Sequence, residues 1–325
     1  MKSKLLLVLL IAALAVPGIA PTFGEAAYPE RPVRVIVPFA PGGVVDVMAR
    51  LLSQKLSTDF GKNFYPQNLG GAGGDIGTQN AATAANDGYT ILMSGSSFVV
   101  NPSLHAQIPY DPVKDFDPIT IAATSPNVVV VNTNVAAKNM QQLADAIRHD
   151  PDKYSFGSAG IGTSGHLAGE LFRLTAGLQL VHVPFQSAGP ALQATVGGYT
   201  PMTFSSLPSA LPLINSGLVR ALAVTGKSRV GALPDVPTMA EAGFPGTEAE
   251  TLLFIVAPAG TRPDIVNMLN AEFRKIVALP EVKSQFDMLG FSPLATSPAE
   301  TAQQIRNEVA RWAKVIKDAN IQSGN

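Results

Sequence analysis

The feature that most constrains the fold is a recurring unit: a short apolar run, a glycine-rich turn, then apolar residues at helical spacing. Its first copy opens at Val33, where Val33 to Pro38 (VRVIVP) has the composition of a strand buried on both faces. Phe39-Ala40-Pro41-Gly42-Gly43 forms the turn. Val44, Val45, Met48, Leu51, Leu52 and Leu56 then repeat at the helical period and stop near Gly61. Asp46 falls in the first helical turn, where a carboxylate answers free backbone N–H groups and suits the helix dipole. Further strands are expected at Tyr89–Met93, Asn127–Val131, Tyr154–Ser158, Leu180–Pro184, Pro201–Phe204, Leu218–Val224 and Phe254–Ala257. Helices are expected at Met140–His149, His166–Thr175 and Pro190–Val196, with mainly helix after Pro263. Such alternation predicts an α/β protein whose sheets are mainly parallel and covered by helices. The apolar runs at Asn127–Val131 and Leu253–Ala257 follow acid- or proline-rich loops and are read as crossings between two lobes. That divides the chain into a discontinuous lobe 1 (27–126 and 253–325) and a lobe 2 (127–252).

The N-terminus carries an address. Lys2 and Lys4 precede an unbroken apolar run from Leu5 to Val16, which Pro17 and Gly18 end. About a dozen apolar residues are too few to span a bilayer, so residues 1–26 read as a cleaved export signal, with Gly24-Glu25-Ala26 as a small-x-small cleavage site. The expected location is the periplasm. The chain has no cysteine, which rules out a disulfide framework, thiolate metal site or lipid-anchored cysteine. Its 23 basic and 24 acidic residues nearly balance, so no broad basic surface exists for nucleic acid. One tryptophan and six tyrosines leave few stacking platforms for bases or sugars.

Two loops carry the chemistry. The turn after the first strand and Ser158-Ala159-Gly160-Ile161-Gly162-Thr163-Ser164 share one form, in which a strand runs through glycines into a helix N-terminus. Ligands of open α/β sheets collect at the carboxyl ends of strands, where such turns lie. Unpaired N–H groups at a helix start favour an anion, and Thr163 and Ser164 add hydroxyl donors, as do Ser94, Ser96 and Ser97 after a third strand. Spacing alone also fits glycines that merely permit tight turns. Gly160-x-Gly162-x-x-Gly165 matches a dinucleotide fingerprint, yet the next strand (LVHVP) lacks the acidic residue that would hold a ribose. His166 beside the serines misses the nucleophile-elbow spacing by one residue, and His105, His149 and His182 are scattered. Asp111, Asp115 and Asp117 lack the glycine and distal glutamate of a calcium loop and read as turn formers. No catalytic, metal or cofactor set can be assembled.

The stretch YPERPVRVIVPFAPGGVVDVMAR resembles the opening of the substrate-binding receptors of tripartite tricarboxylate transporters, the Bug family. GAGGDIGTQNAATAANDGYTILM, YSFGSAGIGTSGHLAGELF, LVHVPFQSAGPALQATVGG and LVRALAVTGKSRVGALPDVPTMAEAGFPG follow in the same order. The resemblance implies a two-lobed periplasmic binding protein of type II-like form, with two crossing strands and a cleft that closes on a carboxylate. It implies a permease of the tripartite tricarboxylate type as partner, a monomeric receptor and no enzymatic step. The alternatives are a ligand-sensing subunit for a signalling partner or an exported enzyme on the same scaffold. Phe39, Ala40, Gly42, Gly43, Asp46, Gly160, Gly162, Thr163, Ser164 and His166 are the ligand-site residues it carries over, with Asp46 and His166 possible loop braces. Pro201, Ser205, Leu252 and Asn68-Leu69-Gly70 depart from the family's pattern, which places Ser205 on the expected specificity wall. Ser94 and Ser96 complete the expected site.

Overall fold

A computed structural model describes residues 28–105 and 107–322, so the export signal read at residues 1–26 lies outside the described residues. The strands are β1 (Val33–Val37), β2 (Phe64–Asn68), β3 (Thr90–Ser94), β4 (Phe116–Asn132) and β5 (Ser155–Ser158). They continue as β6 (Val181–Pro184), β7 (Met202–Ser206), β8 (Val219–Val224), β9 (Glu250–Pro258) and β10 (Ser292–Pro293). The helices of the first half are α1 (Val44–Phe60), α2 (Asp75–Ala82), α3 (Ser97–Leu104), α4 (Met140–His149) and α5 (Ser164–Ala176). After them come α6 (Ala188–Val196), α7 (Leu207–Asn215), α8 (Pro263–Ala278), α9 (Pro280–Met288) and α10 (Pro298–Asp318). None of the described helices is long and apolar enough to cross a membrane.

The strands run in the order β2-β1-β3-β9-β4-β7-β5-β6, with β8 and β10 also paired to β4. Pairing is parallel at both ends of this path, where β1 lies between β2 and β3 and β5 between β6 and β7. It is antiparallel in the middle, wherever β4 or β9 takes part. The expected parallel sheets are therefore joined by an antiparallel pair. From Phe116 to Pro126 β4 pairs with β9, and from Asn127 onward it pairs with β7 and β8. One 17-residue strand thus leaves one sheet and enters the other without a turn. This is the two-lobed architecture expected from the sequence.

Side-chain burial explains the layers. β1 and β3 are buried along almost their whole length, as strands covered by helices on both faces must be. One core packs β1, α1 and α8 through Val35, Leu52, Leu269 and Phe273. A second lies under α6 and α7, around Val128, Leu192 and Leu207. The third passes from one sheet to the other, joining Leu92 and Phe98 to Phe156, Phe172 and Phe204 beneath Trp312 of α10.

Candidate functional site

Three helices begin on one cavity. Val44, Ser97 and Ser164 are the first residues of α1, α3 and α5, and all three line a space of about 270 Å³. Phe39, Gly43, Val45, Gly95, Ser96, Thr163 and Thr251 complete its wall. The first N–H groups of a helix have no partner within it, and the helix dipole makes that end positive. Gly43 and Ser96, the caps of α1 and α3, make no side-chain capping bond. This convergence presents backbone donors to an anion, with no charged side chain in the wall.

The loop after β1 is lashed from behind. Asp46 is buried, and its carboxylate accepts from the Gly42 N–H (2.9 Å), Arg50 Nε (3.0 Å) and Asn68 Nδ2 (2.9 Å). Asn68 Nδ2 also donates to the Phe39 carbonyl at 3.1 Å. Burial pushes the Asp46 carboxyl up, but hydrogen bonds from Arg50, Gly42 and Asn68 outweigh it and hold the carboxyl below its ordinary value. Gly42 sits at φ +82°, a left-handed conformation that a side chain disfavours. Asp46 therefore braces the loop rather than facing the cavity.

The loop before α5 is held by a histidine stack. Gly162, at φ +78°, donates its N–H to His166 Nδ1 at 3.1 Å, which leaves the ring proton on Nε2. The His166 ring stacks on His182 with centroids 3.9 Å apart, and Phe156 packs 4.8 Å from His182. His182 Nε2 lies 2.7 Å from Ser158 Oγ, which accepts from the Gly160 N–H at 3.2 Å. Burial pushes His166 down to about 3, helped by the neighbouring His182 and Arg173, and burial pushes His182 down to about 4. Both rings are neutral above these values. Thr163 caps α5 by accepting from the His166 N–H at 3.4 Å and donates its hydroxyl to the Gly160 carbonyl at 2.7 Å.

The crossing strands reach the same place. Ser164 Oγ donates to Asn127 Oδ1 on β4 at 3.2 Å and lies 2.9 Å from Thr251 Oγ1 on β9. Ser96 Oγ accepts from the Leu252 N–H at 3.2 Å and donates to the Glu250 carbonyl at 3.3 Å, tying the start of α3 to β9.

Of the residues expected from the sequence, Phe39, Gly43, Ser96, Thr163 and Ser164 come together on the cavity wall. Gly42, Asp46, Gly160, Gly162 and His166 form the bonds behind the two loops, and Ala40 is an exposed residue of the first loop. Ser94 and Ser205 are buried in β3 and β7, and the hydroxyl of each has no partner among the described residues. Neither lines the cavity. Ser97, expected as a hydroxyl donor after β3, also lines the wall, whereas Val44, Val45, Gly95 and Thr251 are wall residues that the sequence does not mark, and Thr251 belongs to no local motif. His182, which looks scattered in the sequence, meets His166 and Ser158 through the pairing of β5 with β6. Asp111 and Asp115 each accept a nearby backbone N–H, from Val113 and Asp111 respectively, as turn formers do; Asp117 is not one, because it lies on β4 and accepts from the Thr261 N–H after β9.

Comparison with known proteins gives consistent results. The family model described as tripartite tricarboxylate transporter family receptor matches residues 48–321. BugT of Bordetella pertussis is 36% identical over 307 residues, 94% of this chain and 94% of that protein. A Rhodopseudomonas palustris protein solved with adipate is 32% identical with a TM-score of 0.82, covering 91% of this chain and 99% of that one. The periplasmic binding protein BugD is 33% identical with a TM-score of 0.79, covering 91% and 100%. MatC of Rhodopseudomonas palustris, solved with malate, is 30% identical with a TM-score of 0.77, covering 89% and 100%. The chain belongs to the tripartite tricarboxylate transporter receptor family, the Bug proteins among them.

Proposed function

We propose that this protein captures a small carboxylate in the cleft between its lobes and delivers it to a membrane permease of the tripartite tricarboxylate type, without chemistry of its own. The observation that carries the proposal is the meeting of three helix N-termini, of α1, α3 and α5, on one uncharged cavity. Backbone N–H groups and hydroxyls from both lobes close on the anion, so the closed form binds it better and the ligand shifts the lobes toward closure. Phe39, Gly43, Ser96, Ser97, Thr163 and Ser164 contact the ligand in this reading, while Asp46, His166 and His182 keep the loops in place. The hand-over of β4 at Pro126 and Asn127 supports lobe limits at 27–126 with 253–325, and at 127–252. The apolar run Leu5 to Val16 supports export by a cleaved signal; a monomeric receptor is part of the proposal.

A thermal-shift screen tests the proposal. Protein refolded from denaturant, to strip any bound ligand, is heated with small carboxylates, and with nucleotides and sugars as controls. A ligand at a hundred times its dissociation constant adds about 2.7 kcal/mol and raises the melting temperature by several degrees. A rise with a carboxylate and none with the controls is the expected result. A flat carboxylate panel with a shift from a nucleotide would return the loop at Gly160–Gly165 to the dinucleotide reading.

A further inference from the structure

Five hydroxyls stand on the cavity wall, those of Ser96, Ser97, Thr163, Ser164 and Thr251. Each has one proton to donate, so the bonds already made decide which of them can serve a ligand. Asn127 sets the direction of one chain of bonds. Its Nδ2 donates to the Ala249 carbonyl at 3.0 Å, which leaves Oδ1 to accept the Ser164 hydroxyl at 3.2 Å. With that proton committed, Ser164 Oγ can only accept from Thr251, 2.9 Å away, so Thr251 is the donor of that pair. Thr163 donates to the Gly160 carbonyl at 2.7 Å, and Ser96 to the Glu250 carbonyl at 3.3 Å. Four of the five protons are therefore held by bonds inside the protein.

Ser97 is the exception. It is half-buried on the wall, and its hydroxyl makes no hydrogen bond among the described residues. Its backbone N–H is the first of α3, which no carbonyl of that helix can reach. Gly74, at φ +106°, runs beside it, and a Cβ there would lie 3.4 Å from both Ser97 Oγ and the Phe39 ring. A glycine thus stands where a side chain would crowd the one hydroxyl left free. We infer that Ser97 is the wall side chain that donates to the ligand's anionic group, its O–H acting with its own N–H, while the other four hydroxyls hold the wall in shape. This rests on the carboxylate-receptor reading above and divides the labour within it. Thr163 and Ser164 lie against the ligand, but their protons serve the loop and the crossing strand.

Two readouts separate a hydroxyl that serves the ligand from one that serves the fold. The protein, refolded from denaturant, is titrated calorimetrically with benzoate and with adipate, and its denaturant midpoint is measured without either. Ser97→Ala removes the free proton and breaks no bond in the protein, and alanine suits a helix. It should weaken binding of whichever probe the unaltered protein takes by about tenfold or more, because a hydrogen bond to a charged group is lost, and should leave the midpoint in place. Thr251→Val keeps the side chain's shape and removes a committed hydroxyl, so it should lower the midpoint. Ser97→Ala binding as tightly as the unaltered protein, or losing as much stability as Thr251→Val, would overturn the inference and leave the receptor reading standing. Heat from neither probe in the unaltered protein would overturn the carboxylate reading itself.

Discussion

At the scale of single residues, the candidate site depends on side chains that lie behind its wall. Asp46 and the His166–His182 stack each hold a loop from behind, so the backbone donors face the cavity without a charged side chain in it. The histidines make this bracing sensitive to pH. An unfolded histidine titrates near 6.5. His166 and His182 are lowered to about 3 and about 4, so below pH 6.5 the unfolded chain binds protons that the folded chain refuses. Stability from this source is complete above about pH 6.5 and is lost as pH falls toward 4 and then 3. His182→Gln removes one titrating ring and keeps a polar group opposite Ser158. Denaturant midpoints measured at pH 7 and pH 5 should lie closer together in this variant than in the unaltered protein. The same spacing in both would mean that His182 plays no part in acid sensitivity.

At the scale of elements, the helix N-terminus is the working part. Thr163 serves α5 twice, by capping the His166 N–H and by holding the Gly160 carbonyl. Thr163→Ala should cost about 1 kcal/mol of stability in a denaturant titration, and should weaken carboxylate binding as the turn loosens. Unchanged stability and affinity would show that neither bond matters to the loop. The elements also show what the sequence reveals and what it hides. The two glycine turns and the helices behind them were legible because a buried strand, a turn and an amphipathic period stand next to one another. β2 was not, since FYPQN carries Pro66 and lacks an apolar run; it is tolerated because β2 is an edge strand. α3 has no helical signature in the sequence, because Ser97–Leu104 is short, contains Pro102 and buries residues on several faces. Its burial on several faces erases the period that marks a surface helix. α7 is disguised in the same way by Pro208 and Pro212. Contacts made across the sheet, such as Ser164 with Thr251 or His182 with Ser158, leave no local trace at all.

At the scale of the molecule, two lobes share two strands, one core and one cavity. β4 and β9 bring Asn127 and Thr251 to Ser164, so the crossing strands are bonded to the cavity wall. The core beneath Trp312 runs through both sheets, so the proposed closure would bend the crossing strands rather than part the lobes. In the proposed function an anion draws the two halves together, because the cavity wall offers helix starts and no charged side chain. The most direct measurement is therefore a calorimetric titration of the refolded protein with benzoate and with benzamide, which share a shape and differ in charge. The account predicts saturable heat from benzoate and none from benzamide at the same concentrations. Equal binding of the two would contradict it, because the helix N-termini would then contribute no preference for an anion.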